Sequence, residues 1–306
     1  MLSRIYHRYN LLYIALCVIA ILQAQLFYSI SKHQSCRNPE ALIAFLNIGQ
    51  GDSIYIQDTD GKSVLVDTGP KDDGLVSQIQ EVTGCEDVYV EHLVLTHPDA
   101  DHIGEAKRLV DKGLVGEIIH NGFLDINQPD ETLMENELEK TIVSKRKVLA
   151  GDVLVLKDIH MDILYPNDEP YLKEMATSTK KKKKVSVDDN IYSIVTKVSY
   201  TGKNPETFLL TGDAPTAVED KLIKQYGDML QSDVLKLGHH GSRTSSAQSF
   251  LNIVSPSEVV VSAAKNNRYN HPSSETMERV FNQRRKKPLK IRETFVEGNI
   301  VYKLEL

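Results

Sequence analysis

The hydrophobic and polar positions divide the chain into an apolar N-terminal segment and a longer mixed region. Residues 10–31 carry no charge, and residues 11–30 are mostly apolar. About 20 such residues can cross the ~30 Å hydrocarbon core of a bilayer as one helix. The pattern therefore predicts a membrane anchor or signal segment over residues 1–31, a linker over residues 32–40 and a folded domain over residues 41–306.

The charges around the apolar segment bear on its orientation. Arg4 and Arg8 precede it, which favours a cytoplasmic N-terminus and an extracellular domain on a single-pass membrane protein. Lys32 and Arg37 on the other side oppose this orientation. The same pattern also fits a cleaved signal peptide, and the protein would then be secreted.

Beyond residue 40, short apolar runs alternate with glycine-containing turns and with stretches of helical spacing. The predicted strands cover residues 41–48, 53–57, 63–66, 93–96, 153–156, 161–164, 191–200, 207–211, 234–237 and 259–262, with more at the C-terminal end. The predicted helices cover residues 104–110, 130–145, 217–226 and 274–281. This alternation predicts an α/β fold with two β-rich halves, and a hairpin turn at residues 59–61.

Composition narrows the possible functions. The chain has 306 residues, 41% hydrophobic and 25% charged, which is typical of a globular protein. A net charge of −6 argues against general nucleic-acid binding, so any attraction to DNA must come from metal ions or local basic clusters. Two clusters exist, five lysines at residues 180–184 within a predicted loop (167–189), and residues 284–287 with Lys290 and Arg292. Each also fits a solvated surface.

The three cysteines include no CxxC pair, which argues against a thiolate zinc site. Cys17 lies in the apolar segment. Cys36 and Cys85 can pair if the domain faces an oxidising exterior, and otherwise they stay free thiols.

The strongest chemical signal is the segment THPDADH (residues 96–102), directly after a predicted strand. Its four potential metal ligands are His97, Asp99, Asp101 and His102. A loop at a strand end can direct several side chains to one point, and imidazoles with carboxylates suit a borderline or hard divalent ion.

Two more apolar strands end in similar residues. Asp213 follows one of them, and the pair His239–His240 follows the other. His271 comes later, where a helix is predicted to begin. Each feature alone also fits a turn or a structural histidine. Together they predict a site at one edge of a sheet, because strand ends in an α/β scaffold meet there.

Four segments in order, VLVDTG (64–69), THPDADH (96–102), LLTGDA (209–214) and GHHGS (238–242), resemble the metallo-β-lactamase superfamily. Three further features resemble the hydrolase domain of ComEC-type DNA-uptake (competence) proteins. They are FLNIGQGDS (45–53), Asn190 with Ser193, and the NHP-containing segment 267–272. The resemblance covers about residues 41–305.

The resemblance implies an αββα sandwich with the site at the sheet edges. It implies His97 and Asp99 at one metal position, Asp101, His102 and His239 at the other, and Asp213 as a bridge. His240 could replace His239, and Asp67, Asn190, Ser193 and Ser242 would support the ligands or the substrate. Asp99 stands where the superfamily usually has histidine, so Mn²⁺ joins Zn²⁺ as a candidate. The superfamily's additional histidine has only His120 or His160 as options here, so one or two ions are expected.

The resemblance also implies a metal-dependent hydrolase in which a metal-activated water attacks the substrate. Asp101 or Asp99 could accept the proton, and His271 could bind a phosphate oxygen or protonate the leaving group. The expected substrate is a phosphodiester, namely DNA. Two alternatives stay open: hydrolysis of a small ester, lactone, thioester or phosphocholine substrate, and a surface binding protein with little turnover.

Overall fold

Two seven-stranded sheets pack face to face in the computed structural model, which describes residues 17–20, 23, 40–72, 74–125, 134–167, 188–204 and 206–305. The first sheet has the order β14-β1-β2-β3-β4-β5-β6 and the second has the order β13-β12-β11-β10-β9-β8-β7. The first sheet contains β1 (Ala41–Phe45), β2 (Ile54–Gln57), β3 (Ser63–Val66), β4 (Val90–Leu95), β5 (Val115–His120), β6 (Ser144–Lys147) and β14 (Ile300–Leu304). The second contains β7 (Val153–Val155), β8 (Ile159–Tyr165), β9 (Val195–Tyr200), β10 (Glu206–Leu210), β11 (Val234–Lys236), β12 (Glu258–Val261) and β13 (Lys290–Glu293).

Helices cover the outer face of each sheet. Against the first sheet lie α1 (Leu75–Thr83), α2 (Ala100–Ile103), α3 (Ala106–Asp111) and α4 (Met134–Glu139). Against the second lie α5 (Thr216–Tyr226), α6 (Gln248–Val254), α7 (Ser274–Arg284) and α8 (Thr294–Glu297). The result is a four-layered αββα sandwich, as the resemblance implied.

Strand residues alternate between an inner core and two outer cores. In β3, Val64 and Val66 lie in the inner core between the sheets, whereas Leu65 faces the helices. Burial on both faces explains why these strands are continuous apolar runs in the sequence. In the inner core the rings of Phe45 and Phe208, from opposite sheets, both pack edge-on against Tyr302.

The structure corrects several sequence-based boundaries. The helix predicted over residues 104–110 corresponds to α3, which begins at Ala106. Gly104 separates it from α2, and a Cβ at Gly104 would come within 2.3 Å of Lys71 N. The helix predicted over residues 130–145 ends at Glu139, and its last two residues belong to edge strand β6. The predicted 59–61 turn is confirmed, with Asp58 accepting from the backbone of the turn. Strand β5 and helices α1, α2, α6 and α8 were missed.

Two sequence predictions concern residues that lie wholly or mostly outside the described ranges. Of the predicted membrane segment the structure describes only residues 17–20, which are helical, and residue 23. No helix within the described ranges is long and apolar enough to span a bilayer. Residues 168–187, with the lysine run, also lie outside. Cys85 is disulfide-bonded and Cys17 is free, whereas Cys36 is not among the described residues.

Candidate metal centre

Strand ends from both sheets deliver the candidate ligands to one place. In the first sheet β3 and β4 are parallel, so Asp67 and His97, which follow them, lie at the same edge. In the second sheet β10 and β11 are parallel, which places Asp213 beside the pair His239–His240. Apolar strands thus fix the backbone up to the point where the polar side chains begin.

Asp213 lies at the centre of this group and is buried. The Nε2 atoms of four histidines surround its carboxylate. The distances are 3.9 Å from His97, 3.3 Å from His102, 3.5 Å from His239 and 3.5 Å from His240. Carboxylate and imidazole atoms converging in this way form a donor set that suits a divalent cation.

Two further carboxylates lie on the solvent-exposed side of this group. Asp99 Oδ2 is 3.6 Å from His97 Nε2, and Asp101 Oδ2 is 3.4 Å from His240 Nε2. The Asp99 side chain is 45% exposed and the Asp101 side chain 29% exposed. The centre is therefore open on the side that these carboxylates line.

Partners on Nδ1 fix the buried rings so that Nε2 faces the centre. Asp67 Oδ2 is 2.7 Å from His102 Nδ1, and Asp67 also accepts hydrogen bonds from the backbone and hydroxyl of Thr96. The Ser262 carbonyl is 3.0 Å from His240 Nδ1, and His97 Nδ1 is 3.0 Å from Thr96 Oγ1. Such partners set the tautomer of a metal-binding histidine.

Several non-glycine residues at the centre have left-handed backbone conformations, which such residues rarely adopt. Asp67 has a φ of 59°, and the consecutive His239 and His240 have φ values of 50° and 55°. Left-handed non-glycine residues cost about 1–3 kcal/mol each and concentrate at functional sites. Gly241, with a φ of 83°, continues this turn, and a Cβ there would come within 2.6 Å of Pro272 Cβ.

Residues 46–179 match the family described as the metallo-beta-lactamase superfamily. The chain therefore contains a metallo-beta-lactamase superfamily domain. Its curated relatives are ComEC-type competence proteins. ComE operon protein 3 of Bacillus subtilis is 30% identical over 262 residues, and competence protein ComA of Neisseria gonorrhoeae is 31% identical over 241 residues. Each alignment covers 79% of this chain but only 31% and 30% of the relative, so the chain spans about a third of their length.

Solved structures share the fold of this chain. Igni18, a metallo hydrolase from Ignicoccus hospitalis, has a TM-score of 0.54 at 14% identity, over 86% of this chain and 100% of that one. CmlA, a diiron β-hydroxylase from Streptomyces venezuelae, has a TM-score of 0.54 at 12% identity, over 87% of this chain and 54% of that one. At such identities the likeness establishes architecture alone.

The charged groups of the candidate metal centre favour a bound cation. Burial lowers the pKa of His102, but the carboxylates of Asp213 and Asp67 outweigh burial and hold that pKa well above 6.5. For His240, burial is likewise outweighed by Asp213 and Asp52, which raise its pKa to about 9. Burial raises the pKa of Asp213, but the surrounding histidines outweigh it and lower that pKa well below 3.8. The carboxylates thus attract positive charge, either protons or metal.

Two orphaned atoms show that a metal fits these residues. His97 Nε2 and Asp213 Oδ1 are buried and have no hydrogen-bond partner among the residues that the structure describes. A cation would satisfy both atoms, whereas leaving buried polar groups unpaired costs about 1–3 kcal/mol each. The residues that could hold one or two ions are His97, Asp99, Asp101, His102, Asp213, His239 and His240. The chain accordingly carries a potential metal centre within a metallo-β-lactamase fold.

Asp52 is a residue of the centre that the sequence did not single out. It forms a compact group with His102, Asp213 and His240, whose donor atoms lie within 4.8 Å of one another. Its Oδ1 is, however, 3.2 Å from His240 Nδ1 and 3.0 Å from the buried Lys236 Nζ. We therefore assign Asp52 to orienting His240 rather than to binding metal. The sequence signal that could have identified Asp52 is a Gly-Asp pair after an apolar strand, because Asp213 occurs in the same pattern.

The remaining predicted residues lie around the centre. Ser193 Oγ accepts from Asp213 N and is 3.4 Å from His97 Nδ1. Asn190 accepts from Ser193 N through its carbonyl. The His271 ring is 5.4 Å from that of His239. Ser242 differs, because its hydroxyl pairs with Thr244 Oγ1 and stabilises the turn.

Neither candidate for the additional superfamily histidine belongs to the donor group. His120 Nδ1 accepts from Gly122 N and its ring packs against Phe123, whereas His160 lies within β8 opposite Ser199. The second basic cluster is also partly neutralised, since Lys290 pairs with Glu258 and Arg292 with Glu297.

Proposed function

We propose that this chain is a metal-dependent phosphodiesterase that cleaves DNA. The observation that carries the proposal is the convergence of four histidine Nε2 atoms on the buried Asp213, with Asp99 and Asp101 on the open side. The names of the relatives, a competence protein and a ComE operon protein, support DNA as the substrate.

The arrangement assigns a task to each part of the centre. When bound, a divalent ion supplies an activated water and positive charge next to the substrate phosphate. Zn²⁺ and Mn²⁺ both suit the mixed imidazole and carboxylate donors. Asp101, partly exposed at the mouth of the centre, is placed to accept the proton of the attacking water.

His271 is placed to bind the substrate rather than the metal. Burial, together with His239 and His240, lowers the pKa of His271 to about 4, so the ring is neutral at pH 7. Its Nδ1 is buried and has no hydrogen-bond partner in the described part of the chain. A neutral imidazole can donate one hydrogen bond, and a phosphate oxygen beside the metal would be a suitable acceptor.

The proposed setting is the outer side of a membrane, with secretion as the alternative. The disulfide at Cys85 supports an oxidising compartment, and Arg4 and Arg8 support a cytoplasmic N-terminus. Alkylation of intact cells with a membrane-impermeant reagent, at a cysteine introduced for the exposed Lys303, tests this placement. Labelling only after lysis would contradict it.

The test of function is cleavage of plasmid and linear DNA by the full chain purified in detergent, with Mn²⁺ or Zn²⁺. We expect metal-dependent cleavage that Asp213→Ala and Asp101→Ala abolish, with the circular dichroism spectrum retained. Asp228→Ala, at an exposed carboxylate elsewhere, is the matched control and should remain active. Intact DNA alongside hydrolysis of a small ester or lactone would overturn the nuclease proposal.

A further inference from the structure

A cavity of about 550 Å³ opens directly beside the metal centre. Asp101 belongs to both, because it lines the cavity and its Oδ2 is 3.4 Å from His240 Nε2. The volume falls within the range of about 300–1,000 Å³ that is usual for small-molecule sites. A substrate whose scissile bond lies at the metal would therefore extend into this cavity.

The wall of the cavity carries two cations without carboxylate partners. Lys71 and Arg268 line it, and both are exposed. Neither forms an ion pair with a carboxylate of the described part of the chain, in contrast to Lys290 and Arg292 in the C-terminal cluster. Cations that are not already neutralised are available to a bound anion.

The Arg268 guanidinium lies over the Tyr269 ring on the same wall, and we call this pair the Arg268–Tyr269 platform. The guanidinium carbon of Arg268 lies 4.7 Å from the centre of the Tyr269 ring, and an Arg268 Nη2 donates to the Tyr269 hydroxyl. Tyr269 is nevertheless 48% exposed. Exposed aromatic rings and guanidinium planes are the groups on which unpaired nucleobases stack.

The turn that carries this platform is fixed against the centre. Asn267 Oδ1 accepts from the backbone N–H of Tyr269 and His271, and its amide donates to the Ala264 carbonyl. The Tyr269 and His271 rings are stacked, with centres 5.7 Å apart and planes 24° apart. Rings therefore continue from the metal centre into the cavity. Gln50 also lines the cavity, and its Oε1 accepts from the backbone N–H of Ala264. Its buried Nε2 has no acceptor among the described residues and can donate to a ligand.

We propose that this cavity is a nucleotide subsite, in which the Arg268–Tyr269 platform stacks a base and Lys71 binds a neighbouring phosphate. The inference rests on the proposed phosphodiesterase function and adds the group that is recognised next to the scissile bond. A stacked base must be unpaired, so the subsite selects single-stranded DNA or frayed ends over intact duplex.

Equilibrium binding tests the subsite without turnover. The full chain in detergent, with chelator present, is titrated with 5′-deoxyadenosine monophosphate and with 2-deoxyribose 5-phosphate, which lacks the base. We expect the nucleotide to bind at least about tenfold more tightly, because stacking on an aromatic platform has an effect of that order. Tyr269→Ala and Arg268→Lys, which retains the charge but not the plane, should each reduce this ratio several-fold, whereas Tyr269→Phe should preserve it.

Matched controls separate the base from the phosphate. Phe281→Ala, at a ring that is 45% exposed on α7, should leave the ratio unchanged. Lys71→Gln should weaken both ligands alike, and Lys112→Gln, at an exposed lysine outside the cavity, should weaken neither. A wild-type ratio near one, or a ratio that survives both Tyr269→Ala and Arg268→Lys, overturns the subsite. Because the ratio is independent of cleavage, absence of nuclease activity would overturn the proposed function instead.

Discussion

Asp52 and His240 are paired on the side of the imidazole that faces away from the metal donors. Asp52 Oδ1 is 3.2 Å from His240 Nδ1, while His240 Nε2 is 3.5 Å from Asp213 Oδ2. The same carboxylate is 3.0 Å from Lys236 Nζ, and Lys236 is fully buried. A single side chain from the β1–β2 connection thus orients a ligand and neutralises a buried cation.

We expect Asp52→Asn to weaken metal binding by about 10–100-fold, because partners of this kind orient the ligating imidazole. It should also lower the free energy of unfolding by about 3 kcal/mol, since Lys236 loses its counter-charge in the interior. Calorimetric metal titration and urea denaturation measure the two effects. The double variant Asp52→Asn/Lys236→Met should recover stability but not metal affinity, and recovery of both would contradict the orienting role.

Removal of metal should lower the melting temperature. An ion at about 1,000 times its dissociation constant stabilises the folded state by about 4 kcal/mol. For a domain of this size that corresponds to roughly 8–16 °C. Thermal scans with and without EDTA measure the shift, which added Zn²⁺ or Mn²⁺ should reverse. Asp213→Ala should show no response to EDTA, and an unchanged wild-type melting temperature would contradict a metal held by these residues.

Gly241→Ala should reduce DNA cleavage at least about tenfold. The added Cβ would come within 2.6 Å of Pro272 Cβ, next to His271, so the His271 turn must move away from the centre. Gly84→Ala is the matched control, because Gly84 is also left-handed, with a φ of 68°, but has open space around its Cβ position. That control should cost about 1 kcal/mol of stability and leave activity intact. Equal activity of the two variants would show that the Gly241–Pro272 contact is unimportant.

Glu219 should make stability depend on pH. Burial raises its pKa from 4.5 to about 7, although Ser246 and Ala247 donate backbone hydrogen bonds to its carboxylate and lower it. Because the folded state binds this proton more tightly than the unfolded chain, this contribution is present below about pH 4.5 and is lost as the pH rises through about 7. The loss is of order 3 kcal/mol.

Urea denaturation of wild type and Glu219→Gln in chelator, at pH values from 4.5 to 8, measures this contribution. The free energy of unfolding of the wild type should fall relative to that of Glu219→Gln as the pH rises, because glutamine does not titrate. A difference that is constant over this range would place the Glu219 pKa near its ordinary value.

The convergence of the candidate ligand motifs could be predicted because each one follows an apolar strand. Asp213 and His97 follow β10 and β4 closely in the sequence, and the end of each apolar run indicates where the strand ends. The choice between His239 and His240 could not be made in this way, since both adopt left-handed conformations that no propensity predicts. The structure directs both Nε2 atoms to Asp213, with His240 fully enclosed and His239 26% exposed.

The role of Asp52 required contacts that are distant in sequence. It depends on the packing of the β1–β2 connection against the end of β12, where Ser262 Oγ donates to the Gly51 carbonyl across 211 positions of sequence. Likewise, the Arg268–Tyr269 platform and Lys71 line one cavity although they lie far apart in the sequence. Sequence patterns report local periodicity, and neither relationship is local.

The pairing of the first and last strands determines which way the catalytic mouth faces. Ala41 lies opposite Leu304, and Phe45, at the other end of β1, lies on the edge where β3 delivers Asp67. Residues 40 and 305 therefore both emerge from the rim opposite the ligands, about 16 Å away along the strand. Any tether attached through either residue would hold the domain at the rim opposite the ligands, so the open side of the centre would point away from the tether.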